Sequence, residues 1–316
     1  MRTTKLGDLT VSAQGLGCMG MSEWYGAADW DESVATIHAA LDAGVTFLDT
    51  ANAYGDGHNE VLVGRAIAHR RDEVQLATKF GIDRSGADGK ARVLRGERSY
   101  VKRSAESSLV RLGVEVIDLY YLHRPPQTAE IEETVGAMAE LVAEGKVRYL
   151  GLSEVTSDLL RRAHAVHPIT AVQSEYSLWT RDVETDALDA LRELGVGLVS
   201  YSPLGRGFLT GTVDVSALGA NDFRANNPRF ASATANQAIA DTVREVAEAK
   251  GVAPAQVALA WVYAQQERLA IPVVPIPGTK RVKWLEQNIA ALDISLTRDE
   301  LARLDPLGSQ VIGARY

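Results

Sequence analysis

Four side chains of unlike chemistry stand at or just beyond the ends of short apolar runs. Asp49 closes TFLDT, Tyr54 follows in the next turn, Lys79 falls near the end of VQLATKF, and His123 closes IDLYYLH. A tyrosine with a pKa of about 10 is a poor acid at neutral pH, but a neighbouring ammonium favours the phenolate and lowers that value. Lys79 can supply this ammonium to Tyr54, with Asp49 as the charged partner that holds the lysine in place. His123 can then donate or relay a hydrogen bond to a substrate oxygen. The combined chemistry is proton donation to a carbonyl that becomes an alkoxide. Each residue alone also has an ordinary role open to it: a cap, a loop aromatic, a solvated lysine, a core histidine. Their recurrence at three successive run ends favours the joint role.

Residues so far apart in sequence meet only if the runs that carry them lie side by side and end together. Candidate strands begin at Gly15, Thr46, Val74, Ile117, Val147, Thr170, Gly197 and Pro272, and a helix-like period follows each. Strands that are apolar on both faces and joined by helices must be parallel and covered. Eight such units predict an α/β fold, a closed (β/α)8 TIM barrel whose strand ends share one mouth. Asp29 or Asp31 is expected to cap the first helix and Ser99 the third. Gly44, Gly113, Gly145 and Gly195 stand where a left-handed residue ends a helix. RTTKLGDLTVSA reads as an N-terminal β-hairpin with a Gly-Asp turn, suited to plugging the barrel floor, and DELARLDPL as an extra C-terminal helix. Residues 1–316 are thus read as a single barrel domain. The connection from Leu204 to about Thr234 lacks a strong period and is expected to be a lid or ligand clamp.

Composition narrows the function classes. The chain has 316 residues, 46% of them hydrophobic, which excludes a disordered or fibrous protein. Lys and Arg number 33 against 41 Asp and Glu, a net charge of −8 that argues against a broad nucleic-acid surface. No run approaches a membrane span, the N-terminus has no apolar signal region, and the lone Cys18 cannot form an intrachain disulfide, so a cytoplasmic setting is expected. Cys18 reads as a packed core residue, and His164 with His167 lacks an acidic partner for a metal. Gly15 to Gly20 spells G-x-G-x-x-G, but the fingerprint should open directly into a helix, and here the helix begins only near Asp31. Those glycines are read as a strand and its turn. Lys280, Arg281 and Lys283 form a cationic island on an acidic protein, open both to use by an anionic ligand and to an ordinary role as a solvated helix end.

LDTANAYGDGHNEVLVGRAI, ATKFG, DLYYLHRP, VRYLGLSE, VQSEYS, SYSPLGRGFLTG and PIPGTKRVKWLEQN, in this order and spacing, resemble the aldo-keto reductase superfamily across essentially the whole chain. The text looks most like the branch with plant and microbial reductases and the potassium-channel β-subunits. The resemblance implies Asp49, Tyr54, Lys79 and His123 as the catalytic tetrad. It also implies a nicotinamide dinucleotide lying extended across the barrel mouth, with a small-molecule carbonyl compound as substrate. It places Ser153, Glu154 and Gln173 near the nicotinamide carboxamide, Met21 near the ribose and Tyr201 on the ring, and counts Asp49 among the cofactor-binding residues. Ser202, Pro203, Leu204, Gly205 and Arg206 would line the pyrophosphate, and Gly278, Thr279, Lys280, Gln287 and Asn288 would hold the adenosine end. The cationic island favours NADPH over NADH. Glu154 departs from the asparagine of many relatives and, as a carboxylate, cannot donate to the carboxamide oxygen.

Trp24, Tyr25, Arg124, Trp179 and parts of the Phe223–Phe230 loop are expected to wall a pocket suited to aromatic or medium aliphatic aldehydes. Rival chemistries would use Lys79 as a Schiff-base nucleophile, or Glu154 and Glu175 as paired carboxylates for glycoside hydrolysis. A further alternative is a cofactor-binding partner module with little turnover.

Overall fold

The computed structural model describes residues 1–84, 92–219 and 222–315. The chain opens with β1 (Thr3–Leu6) and β2 (Leu9–Ser12), an antiparallel hairpin, followed by β3 (Leu16–Gly17), α1 (Trp30–Asp42), β4 (Phe47–Asp49) and α2 (His58–Ile67). Next come β5 (Gln75–Phe80), a small hairpin of β6 (Ile82–Asp83) and β7 (Val93–Leu94), α3 (Arg98–Leu112), β8 (Ile117–Leu122) and α4 (Ile131–Ala143). Then follow β9 (Val147–Ser153), α5 (Ser157–Val166), β10 (Ile169–Glu175), α6 (Val183–Asp186), α7 (Leu188–Leu194) and β11 (Gly197–Tyr201). The last part comprises α8 (Pro228–Ala231), α9 (Ala233–Lys250), α10 (Pro254–Leu269), β12 (Val273–Pro275), α11 (Val282–Ala290) and α12 (Arg298–Leu304).

Eight strands form one parallel sheet in the order β12-β11-β10-β9-β8-β5-β4-β3, and they are the eight expected from the sequence. The sheet closes where the Gly15 amide donates to the Pro275 carbonyl at 3.0 Å and Gly17 bridges Gly278 in parallel, completing the (β/α)8 barrel. This closure explains Gly15 and Gly17, two of the three glycines of the apparent dinucleotide fingerprint. A Cβ on Gly15 would lie 2.7 Å from the Phe47 ring and 2.8 Å from Ile276, and one on Gly17 would lie 2.9 Å from the Ile276 carbonyl oxygen. They are needed for close strand approach.

Two apolar layers follow from the strand alternation. Phe47, Ala77, Leu119, Tyr121, Ala171, Val199 and Val274 point into the barrel, where the hairpin residues Leu6, Leu9 and Val11 join them, so β1 and β2 plug the floor. The opposite faces pack against the helices in one continuous core that includes Leu48, Tyr120, Leu152 and Trp261.

Helix punctuation agrees at Asp29, whose carboxylate accepts from the Glu32 amide at 2.8 Å, and at Gly44, Gly113, Gly145 and Gly195, all with positive φ. Ser99 is not the third cap. Glu97 is already extended at the cap position and α3 starts at Arg98, so Ser99 falls in the first turn. The long connection after β11 contains short 3₁₀ turns at Gly205–Thr210, Val215–Ala217 and Phe223–Asn226, while residues 220 and 221 lie outside the described residues. Among the described residues no helix is long and apolar enough to cross a membrane.

Candidate active site

Asp49 ends β4, Lys79 is the penultimate residue of the neighbouring β5, and His123 directly follows β8, so register alone brings their side chains to one end of the barrel. Tyr54 sits in the turn after β4, which Asn59 fastens. Thr50 Oγ1 donates to Asn59 Oδ1 at 2.6 Å, and Asn59 Nδ2 donates to the Cys18 carbonyl at 2.8 Å. Lys79 Nζ then donates to Asp49 Oδ1 at 2.5 Å, to the Thr50 carbonyl at 2.8 Å and to Tyr54 Oη at 3.0 Å. The other Asp49 oxygen accepts from Gln173 Nε2 at 2.7 Å. With Lys79 fully buried and Asp49 almost so, this ion pair exists because each charge has a hydrogen-bonded partner.

Burial sets the proton states. It pushes the Tyr54 phenol above the ordinary tyrosine value, with the Lys79 ammonium opposing. The expected net lowering of the Tyr54 pKa is therefore not found in the protein alone, because desolvation outweighs the ammonium. The result still suits an acid: the phenol is held protonated, and Lys79 stands where a developing phenolate needs charge. Burial, and then repulsion from Lys79, Arg124, Arg84 and Arg92, pushes His123 well below the ordinary histidine range, so its imidazole is neutral. The ring meets Tyr54 edge-on at 5.8 Å, and its buried Nδ1 has no partner among the described residues.

The remaining expected site residues divide into groups. Ser153 is buried and accepts from Arg124, whose guanidinium also donates to the His123 carbonyl at 2.7 Å, so Arg124 lies beside the tetrad. Glu154, with a left-handed backbone (φ 56°), accepts from the Glu175 amide at 2.9 Å and pairs with Arg315 at 2.6 Å. Arg206, also left-handed, pairs with the buried Glu175 at 2.8 Å. Tyr201 is half-buried, as are Ser202 and Leu204, while Pro203 and Gly205 are buried. Gly278, Thr279 and Lys280 lead into α11, on which Gln287 is half-buried and Asn288 buried. Met21 is buried within the outer core.

Trp24 lies under the guanidiniums of Arg84 and Arg92, both of which act on His123, at 5.9 and 5.1 Å. Tyr25 stacks instead under Arg224 at 5.2 Å. Trp179 is packed with Phe208 and Phe230 in a separate apolar cluster beneath the long connection. Cys18 is a core residue: it is wholly buried, and desolvation pushes its thiol far above the ordinary range.

Sequence reasoning missed Asn59, Arg84, Arg92 and the Glu175–Arg206 pair. An available signal was the Asp88–Gly89 pair, a hairpin mark midway between the two arginines. The structure also bears on the rival chemistries. The Asp49 carboxylate and Tyr54 push Lys79 above the ordinary lysine value despite its burial, which makes it an ammonium and not a free amine nucleophile. Glu154 and Glu175 each face an arginine, a poor arrangement for a paired acid and base.

A nicotinamide dinucleotide needs cations for its phosphates at the mouth's edge. Lys280 Nζ is held on the carbonyls of Tyr25, Gly26 and Ala27, all neutral acceptors, beside the N-terminus of α11. Burial and then repulsion from Arg281 and Arg224 push Lys280 below the ordinary lysine value, with Glu32 and Asp222 opposing. The donor set fits a phosphate-bearing cofactor.

A model of the aldo/keto reductase family matches residues 14–308. Among solved structures, the fold is similar to a thermostable aldo-keto reductase crystallised with the inhibitor epalrestat, with 32% identity, a TM-score of 0.77 and coverage of 98% of this chain and 100% of that one. It is similar to the glycerol dehydrogenase of Gluconobacter oxydans at 29% identity and a TM-score of 0.85, covering 99% and 97% of the two chains. An aldo/keto reductase of Klebsiella pneumoniae, solved with NADP and acetate, matches at 30% identity and a TM-score of 0.73 over 94% and 92%.

Proposed function

The chain belongs to the aldo/keto reductase family, whose members are nicotinamide-dependent oxidoreductases, and on that premise we propose that it reduces aldehydes and ketones to alcohols with NADPH. The observation that carries the reading is the Tyr54 hydroxyl, 3.0 Å from a buried ammonium that Asp49 fixes at 2.5 Å. The cofactor, when bound, supplies the hydride for the carbonyl carbon.

The chain's own residues do the rest. The substrate oxygen lies between Tyr54 Oη and the neutral His123 ring, and both can donate to it. As negative charge gathers on that oxygen, Tyr54 gives up its proton, and the phenolate that remains is stabilised by Lys79. Asp49 keeps the lysine charged and in place, and Gln173 keeps Asp49 from turning away. In the reverse direction the same phenolate is the base. Arg206, Lys280 and Arg281 are assigned to the cofactor phosphates, Lys280 and Arg281 to the 2′-phosphate end.

Tyr54→Phe removes the proton donor and leaves the packing of the ring. Its rate of carbonyl reduction should fall by about two to four orders of magnitude. NADPH binding, followed by tryptophan fluorescence, should remain near that of the parent. Full activity in this variant would overturn the assigned acid.

A further inference from the structure

Trp24 is an unusual residue to find with φ +77°, a backbone conformation that bulky side chains avoid. It is held there by Phe223, whose ring meets it edge-on at 4.9 Å and whose amide donates to its carbonyl at 3.3 Å. The strained conformation presents the indole to two guanidiniums, Arg84 and Arg92. These come from the hairpin that leaves the end of β5: Asp83 pairs with Val93, so Arg84 and Arg92 are the next facing positions. The hairpin is tied beside His123, since Arg95 donates to the Gly81 carbonyl and Gln127 to the Leu94 carbonyl, each at 2.8 Å. Arg124 reaches the same region from the other side, on the His123 carbonyl and Ser153.

Among the described residues the charges here do not balance. Arg84 forks onto Glu23 at 2.9 and 3.3 Å, and its Nε is buried without a partner among the described residues. Asp83 is paired with Arg95 at 3.1 Å. Arg92 makes no ion pair within 4 Å among the described residues; it lies over the indole and feels the Glu23 carboxylate only at longer range. A buried donor without an acceptor and a guanidinium without a paired carboxylate, among the described residues, mark a place where an oxyanion would be bound. The same charges oppose protonation of His123, so they form one field with the tetrad.

Building on the carbonyl-reductase reading, we propose that the substrates are carbonyl compounds bearing a carboxylate or phosphate, with the carbonyl at Tyr54 and His123 and the anionic group on Arg84 Nε, Arg92 and Arg124. The apolar aldehyde suggested by the aromatic residues is then the poorer substrate. Trp24 walls the organic part and orients both guanidiniums.

The test compares 4-carboxybenzaldehyde with its methyl ester, and glyceraldehyde 3-phosphate with glyceraldehyde, at saturating NADPH. Each anionic compound should exceed its neutral partner in kcat/KM by at least about tenfold, mainly through KM. Arg92→Gln, at an exposed position, should bring that ratio close to one. An advantage confined to one pair identifies the group as carboxylate or phosphate. Reduction of the neutral aldehydes without any anionic advantage would overturn this inference and leave the reductase reading standing. If no aldehyde is reduced at all, the reductase reading fails instead. Binding of 4-carboxybenzaldehyde to the wild-type protein and to Arg92→Gln, followed by tryptophan fluorescence, then decides the anion site. Equal affinities would overturn it.

Discussion

At the scale of the residue, the site works through the contrast between two buried groups near one ammonium. Tyr54 must keep a proton until it is needed, and burial ensures this by raising its pKa. His123 must donate without carrying charge, and burial with four nearby cations keeps it neutral. The signs give separate pH dependences. Reduction uses protonated Tyr54, so its rate should be flat through neutral pH and fall only above the ordinary tyrosine value of about 10. His123 has a folded pKa below its unfolded value, so the unfolded chain binds the extra proton as pH falls below about 6.5, and this residue's contribution costs the folded state stability on the acid side. Histidine ¹⁵N chemical shifts should show His123 neutral from about pH 8 to 6, with a midpoint below the ordinary 6.5. A midpoint at or above that value would contradict a desolvated imidazole ringed by cations. The tetrad was legible in sequence because it lies at the ends of well-marked strands. The sign of the Tyr54 shift was not, because desolvation depends on how deeply neighbouring loops cover the phenol.

At the scale of the element, the barrel depends on a few places where backbones must touch. Gly15 is the most demanding, with the Phe47 ring, the Phe47 carbonyl and Ile276 all under 3.0 Å from where a Cβ would be. Gly15→Ala should therefore cost about 1–3 kcal/mol as an overpacking change, visible as a lowered Tm. Gly20→Ala, whose Cβ would approach Tyr25 no closer than 3.6 Å, is the control and should leave Tm nearly unaltered. If both variants melt like the parent, strand closure at Gly15 is less tight than the structure gives. Long periodic elements were the readable ones. All eight barrel strands and the floor hairpin follow from apolar runs and turn residues. The β6–β7 hairpin escaped because Ile82–Asp83 and Val93–Leu94 stand in a mostly polar segment with no apolar run of their own, and with it went Arg84 and Arg92. The helical stretch between β10 and β11 is split into α6 and α7, since Ala187 leaves helical geometry at φ −131°.

At the scale of the whole molecule, segments remote in sequence are tied across the mouth, and these ties could not be read from any local pattern. Arg315 near the C-terminus pairs with Glu154, 161 positions earlier, and its carbonyl accepts from Asn227 at 2.9 Å. The fully buried Asn236 on α9 bonds both the carbonyl and the amide of Ile312. Lys280 likewise reaches the carbonyls of Tyr25 to Ala27, joining the segment before α11 to the first loop. Lys280 thus has two tasks, holding a loop and presenting charge, and they predict different losses. Loss of the loop contact weakens every dinucleotide alike, whereas loss of the charge weakens only the one that carries a 2′-phosphate. Lys280→Met keeps the apolar stem and removes the ammonium. Its Kd for NADPH should rise about tenfold more than its Kd for NADH, since a charge-assisted bond to phosphate exceeds a neutral one by about 1.4 kcal/mol or more. Fluorescence titrations of the two cofactors against parent and variant measure that ratio directly. Equal losses would leave Lys280 a loop tether only, and would remove the physical ground for preferring NADPH.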